Sequence, residues 1–146
     1  MHIPLLYFIY ALPVWGGTFP THLEPLLTLQ KRLVRIVTGE HFHAHTPPLF
    51  LKTKILRLND IHIFVLAQIG FKSNIQCNNF PIHNHDTRYG DLLRTDFTRL
   101  TICQNSFNYL LPKIWNNLPI HIKNITKFNK FKFDLKSYLI SAYAFL

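Results

Sequence analysis

Acidic residues are scarce in this chain, and nowhere do two aspartates stand side by side. Seven Asp and Glu among 146 residues leave no carboxylate pair of the kind that general acid–base or two-metal phosphoryl chemistry uses. Cysteine is scarcer still. Cys77 and Cys103 cannot build a disulfide framework and are not spaced as a C-x-x-C pair. Reduced thiols in an intracellular protein, nuclear or cytoplasmic, are therefore expected. Five glycines include no Gly-rich phosphate loop, and no Ser–His–acid signature accompanies them. A stand-alone enzyme is the least favoured reading on these absences: no catalytic residue and no cofactor are expected. Long apolar runs are missing too. Leu5 to Leu12 is far shorter than the ~20 residues of a membrane span. That run sits between Pro4 and Pro13, its n-region carries His2 but no Lys or Arg, and no small-x-small site follows it cleanly. A secretion signal is thus not expected, and no membrane partner is implied.

What is present is a core and a strong positive charge. Hydrophobic residues make up 48% and aromatics 14%, enough for one small domain. Sixteen Lys and Arg give a formal charge of +9 with histidine neutral. That balance favours polyanions, above all nucleic acid, through phosphate neutralisation and counterion release. Codon bias toward Lys, Asn, Ile and Phe is the competing explanation.

Periodicity predicts a mainly α chain, a small irregular helical domain with long loops. One helix lies near the N-terminus and is broken by Trp15-Gly-Gly17. The clearest, Thr21–Thr38, has an apolar face of Leu23, Leu26, Leu27, Leu33, Val34 and Val37. Thr21 and Glu24 have capping-box spacing, Pro25 lies in the first turn and Gly39 suits the stop. Lys31, Arg32 and Arg35 form a basic tip that complements the dipole and can meet phosphates. Residues 40–50 read as a loop. Asn59 or Asp60 caps Ile61–Phe71, apolar almost all round and so the most buried element. Thr126 caps Lys127–Ala144, whose stripe of Phe128, Phe131, Leu135, Tyr138, Leu139 and Ala142 is surrounded by Lys123, Lys127, Lys130, Lys132 and Lys136 with only Asp134 in opposition. Any β content falls in residues 82–104, where Arg88, Arg94 and Arg99 interleave with Tyr89, Phe97 and Thr98 in a pattern suited to backbone contacts.

The organising stretch is Leu110 to Pro119. Trp15 and Trp115 read as structural anchors, and Pro112 and Pro119 bracket the second of them, stopping any long helix between them. The Trp115 indole N–H calls for a partner. Two histidine clusters have some of the features of a metal site. His41, His43 and His45 alternate but lack a fourth ligand, and Cys77-x5-His83-x-His85 lacks paired spacing, so no metal site is assigned.

Taken in order, several segments resemble a known family: Val14-Trp-Gly-Gly17, Thr21 to Gly39, His45-Thr-Pro-Pro-Leu-Phe50, Ile55 to Ile61, Ile82 to Arg88, Pro112 to Pro119 and Phe131 to Leu139. Over about residues 7–140 the chain resembles the thumb and post-polymerase C-terminal region of non-LTR (LINE-type, jockey-like) retrotransposon reverse transcriptases. That family's polymerase holds two metal ions on a Tyr-x-Asp-Asp type motif and a third aspartate; the chain has neither that core nor an endonuclease domain. His85, Leu111 and a short Lys72–Pro81 depart from the family pattern, which implies a decayed or truncated copy. The resemblance implies a fragment of an RNA-directed DNA polymerase without catalytic capability. Its role would be non-specific binding of an RNA or DNA template–primer alongside an upstream polymerase domain. Lys31, Arg32, Arg35, Arg88, Arg94, Arg99, Lys127, Lys130 and Lys136 are the candidate phosphate contacts. The alternative is a small helical interaction module that docks through Phe128, Phe131 and Leu135 and has no nucleic-acid role.

Overall fold

The computed structural model describes residues 11–74, 92–95 and 97–145. Among these every regular element is helical. Residues 11–15 form α1, followed by α2 (Pro20–Thr38), α3 (Thr46–Thr53), α4 (Leu58–Lys72), α5 (Thr101–Gln104), α6 (Phe107–Asn117), α7 (Ile120–Lys123) and α8 (Phe128–Ser141), with a closing 3-10 turn at Ala142–Phe145. The mainly α expectation holds. No strand occurs in residues 92–95 or 97–104, where α5 stands instead; residues 82–91 and 96 lie outside the described residues.

Proline sets several helix starts differently from the sequence expectation. Helix α2 begins at Pro20 with no side-chain cap, so the Thr21–Glu24 box does not form. A proline at the first position presets φ and lacks only an N–H that would be unpaired anyway. The same reason turns Thr46-Pro47-Pro48, expected in a loop, into the first turn of α3. Pro112 does not break α6 but lies inside it. It stands sixth of eleven residues, so one ladder bond is lost, and the burial of Leu111 and Trp115 on the same helix holds it in place. Pro119 does end that helix, and its carbonyl starts α7 by accepting the N–H of Ile122 (3.0 Å) and Lys123 (3.2 Å). Gly39, at φ 69°, closes α2 as foreseen: its N–H and that of Glu40 reach the carbonyls of Ile36 and Arg35. Only glycine enters that left-handed conformation freely.

Long-range bonds replace two predicted caps. Helix α4 starts at Leu58, three residues earlier than Asn59 or Asp60 capping would set. Gln30 of α2 accepts the Leu58 N–H (3.0 Å) and donates to the Leu56 carbonyl (2.8 Å), clamping the two elements. Asp60 instead accepts the Tyr143 hydroxyl at 2.6 Å, and that hydroxyl takes the Arg57 N–H at 3.0 Å. Helix α8 starts at Phe128 behind Lys127, so Thr126 is not its cap.

The main core joins α4, α6 and α8. Trp115 stacks on Phe131 at 6.0 Å between ring centres, and Phe131 stacks on Phe71 at 4.5 Å. Helix α4 supplies five buried residues, Leu58, His62, Leu66, Ala67 and Gly70, more than any other described helix, as its apolar composition predicted. A second cluster packs Val34, Leu49, Phe50 and Tyr143. A third packs Leu12, Leu23 and Leu58, with Trp15 half-buried against it. Trp115 is thus buried and Trp15 half-buried, and the Trp115 Nε1 finds no partner among the described residues.

Two predicted apolar faces divide. On α2, Leu23 and Val34 are buried, but Leu33 and Val37 join Leu29 and Ile36 in an outward stripe exposed by between 52% and 75%. Its partners α3 and α4 cover one side of that long helix. On α8, Phe131 and Leu135 are fully buried in the chain's own core. The stripe of Phe128, Phe131 and Leu135 is therefore no free docking surface, because folding consumes it.

Candidate nucleic-acid interface

The candidate cations fall on separate elements. Lys31 and Arg32 project exposed from α2. Arg35, beside them, is half-buried: its Nε donates to the Ala44 carbonyl at 3.0 Å and its guanidinium lies 5.9 Å from the Phe42 ring centre. It holds the 41–44 turn, where the His41 and His43 rings stand 5.5 Å apart. No three His, Cys, Asp or Glu side chains come together among the described residues. Arg88, Cys77, His83 and His85 lie outside those residues.

Arg94 and Arg99 are exposed on an irregular stretch that α6 pins in place. Asn116 accepts the Leu93 N–H and donates to the Leu93 carbonyl, each at 2.8 Å, while Leu93 itself is buried. Gln104 donates to the Thr98 carbonyl at 3.0 Å. Between these two clamps Phe97 is 91% exposed. Phe97 thus presents an exposed ring with an exposed arginine three residues before it and another two residues after it in sequence; stacking of a base on an aromatic ring and pairing of phosphate with nearby cations are how single-stranded nucleic acid is bound.

Helix geometry divides the lysines of α8. At about 100° per residue, Lys132 and Lys136 share one flank, whereas Lys130 lies on the other with Asp134. Lys127 and Lys130 border a cavity of about 440 Å³ together with His121, Asn124 and Thr126. An adjoining cavity of about 380 Å³ shares Asn124, Ile125 and Thr126 and adds Lys123, Asn74 and Trp115. Among the described residues no carboxylate lines either. Lys123 is partly desolvated, which lowers its pKa, and its Nζ donates to the Asn116 carbonyl at 2.9 Å.

Sequence reasoning missed the largest basic grouping. Lys54, Lys72, Lys132 and Lys136 rim one apolar groove of about 830 Å³. The i, i+4 spacing of Lys132 and Lys136 was readable; the arrival of Lys54 and Lys72 from α3 and α4 was not.

His62 is the remaining titratable group of note. It is buried, its ring donates to the Pro13 carbonyl, and burial holds its pKa below the ordinary 6.5. Its Nε2 has no partner. It borders a cavity of about 540 Å³ beside Gly16 and Gly17. No helix among the described residues is long and apolar enough to cross a membrane. No protein family, curated protein or solved structure matches the chain.

Proposed function

We propose that this chain is a non-catalytic nucleic-acid-binding module, of the kind that follows the polymerase core in non-LTR reverse transcriptases. It grips the template–primer mainly through phosphates and without sequence preference. The observation that carries this reading is the 91% exposure of Phe97, flanked in sequence by the exposed Arg94 and Arg99, just after Leu93 is bonded to Asn116 of α6. Lys31 and Arg32 on α2, and Lys127 and Lys130 beside α8, extend the cationic surface. The ordered family-like segments and the charge of +9 point the same way.

Substitution at the Phe97 stretch tests the proposal. Phe97→Ala should weaken binding to a single-stranded oligonucleotide by about 5- to 150-fold, the range for one lost base stack. Arg94→Gln with Arg99→Gln should weaken it uniformly across sequences and reduce the salt slope by about two. Unchanged affinity in both variants would remove the proposal's support.

A further inference from the structure

The groove between α4 and α8 has no part in phosphate binding as proposed above, and its composition argues for a different ligand. Its floor follows one side of α4: Ile61, Phe64, Val65, Gln68, Ile69 and Lys72, at i, i+3, i+4, i+7, i+8 and i+11. That is the spacing of a helix stripe prepared for packing. Helix α8 runs antiparallel alongside. Its first residue, Phe128, meets Phe71 at 5.8 Å, whereas Tyr143 beyond its end bonds Asp60 at 2.6 Å. Lys132 and Lys136 therefore stand along the groove, Lys72 marks one end and Lys54 the other. Among the described residues no carboxylate lines it.

We infer that this groove docks an acidic amphipathic helix of a partner protein. Its length fits: from Ile61 to Lys72 is about 17 Å at the helical rise, or three turns of a guest helix. The chemistry fits as well. A guest's apolar residues at i, i+3, i+4 and i+7 would cover the aliphatic floor, and its flanking Glu and Asp would meet the lysine rim. Nucleic acid is a poorer match, because phosphates leave an aliphatic floor uncovered and Phe64 is the one aromatic ring on it among the described residues. A second copy of this chain is a poorer match still. The outward stripe of α2 is apolar enough, but Lys31 and Arg32 beside it would set like charge against the lysine rim.

A labelled peptide of about three helical turns, with leucines at i, i+3, i+4 and i+7 and flanking glutamates, is the probe. A scrambled peptide of identical composition is its control, and anisotropy against the full chain is the readout. The patterned peptide should bind about tenfold or more tighter than the scrambled one, and Lys132→Glu with Lys136→Glu should abolish that advantage. Val65→Gln should weaken binding in a protein whose circular dichroism is unchanged, while Lys127→Glu with Lys130→Glu leaves it intact. Equal binding of both peptides, or equal loss with the Lys127 and Lys130 pair, would reduce the effect to general charge and overturn the inference. An RNA–DNA hybrid or phosphatidylserine vesicles engaging Lys132 and Lys136 where the patterned peptide does not would overturn it too.

Discussion

Tyr143→Phe removes one oxygen and keeps the ring, so it isolates the bond that ties the end of the chain to the start of α4. The hydroxyl donates to Asp60 Oδ2 at 2.6 Å and accepts the Arg57 N–H at 3.0 Å. The ring contacts survive: Phe50 at 6.1 Å and the Arg57 guanidinium at 4.3 Å from the ring centre. A hydrogen bond to a half-buried carboxylate contributes about 1.5–3 kcal/mol, and leaving the acceptor unpaired costs a similar amount. We expect a loss of about 2 kcal/mol in urea unfolding, or about 6 °C in Tm for a chain of this size. The pH dependence adds a second reading. Burial raises the Asp60 pKa, and the Tyr143 hydroxyl opposes that rise. Without the hydroxyl the carboxyl titrates higher still. The deficit should therefore be largest at neutral pH and shrink in acid, where protonated Asp60 no longer requires the donor. A variant within about 0.5 kcal/mol of the parent at pH 7 would refute the reasoning, since it would mean that water serves both partners as well as the phenol does.

Three further expectations rest on other parts of the fold. A Cβ on Gly17 would lie 2.2 Å from the Asn105 carbonyl oxygen, and one on Gly16 would lie 2.6 Å from the Leu12 carbonyl oxygen. Gly17→Ala and Gly16→Ala should each cost about 1–3 kcal/mol in chemical unfolding, because backbone must move to admit the methyl. His62 has a folded pKa below its ordinary 6.5, so the unfolded state binds more protons in the window beneath that value. Stability should rise with pH through the window and level off above it, and unfolding of His62→Gln should lack that acid-side loss. On α2, Leu33→Gln should alter stability by no more than about 0.5 kcal/mol, whereas Leu135→Ala in the core should cost about 3–5 kcal/mol; thermal melts of the pair separate the two faces.

The positions of the helices were legible where apolar spacing and glycine speak locally. The end of α2 at Gly39 and the buried row of Phe131, Leu135 and Leu139 follow from periodicity alone. What sequence left hidden were the contacts that cross the chain. Gln30 clamps Leu56 and Leu58 across 26 and 28 residues, and Tyr143 reaches Asp60 across 83; no local pattern announces such bonds. Pro112 misled for a related reason. A proline reads as a breaker, yet α6 continues through Pro112 because the burial of Leu111 and Trp115 holds the helix in place. Charge clustering in the sequence singles out Lys127, Lys130 and the Arg94 stretch but not the four-lysine groove, because its rim draws on α4, α8 and the residue that ends α3.

The most direct test of nucleic-acid binding is the salt dependence of affinity for an RNA–DNA hybrid. If four to six of the exposed cations Lys31, Arg32, Arg94, Arg99, Lys127 and Lys130 meet phosphates, log affinity against log salt has a slope of about −4 to −5. Raising salt from about 50 to about 200 mM should then weaken binding by a hundredfold or more. A flat titration over that range would contradict the account, leaving a basic helical protein whose charge serves some other end.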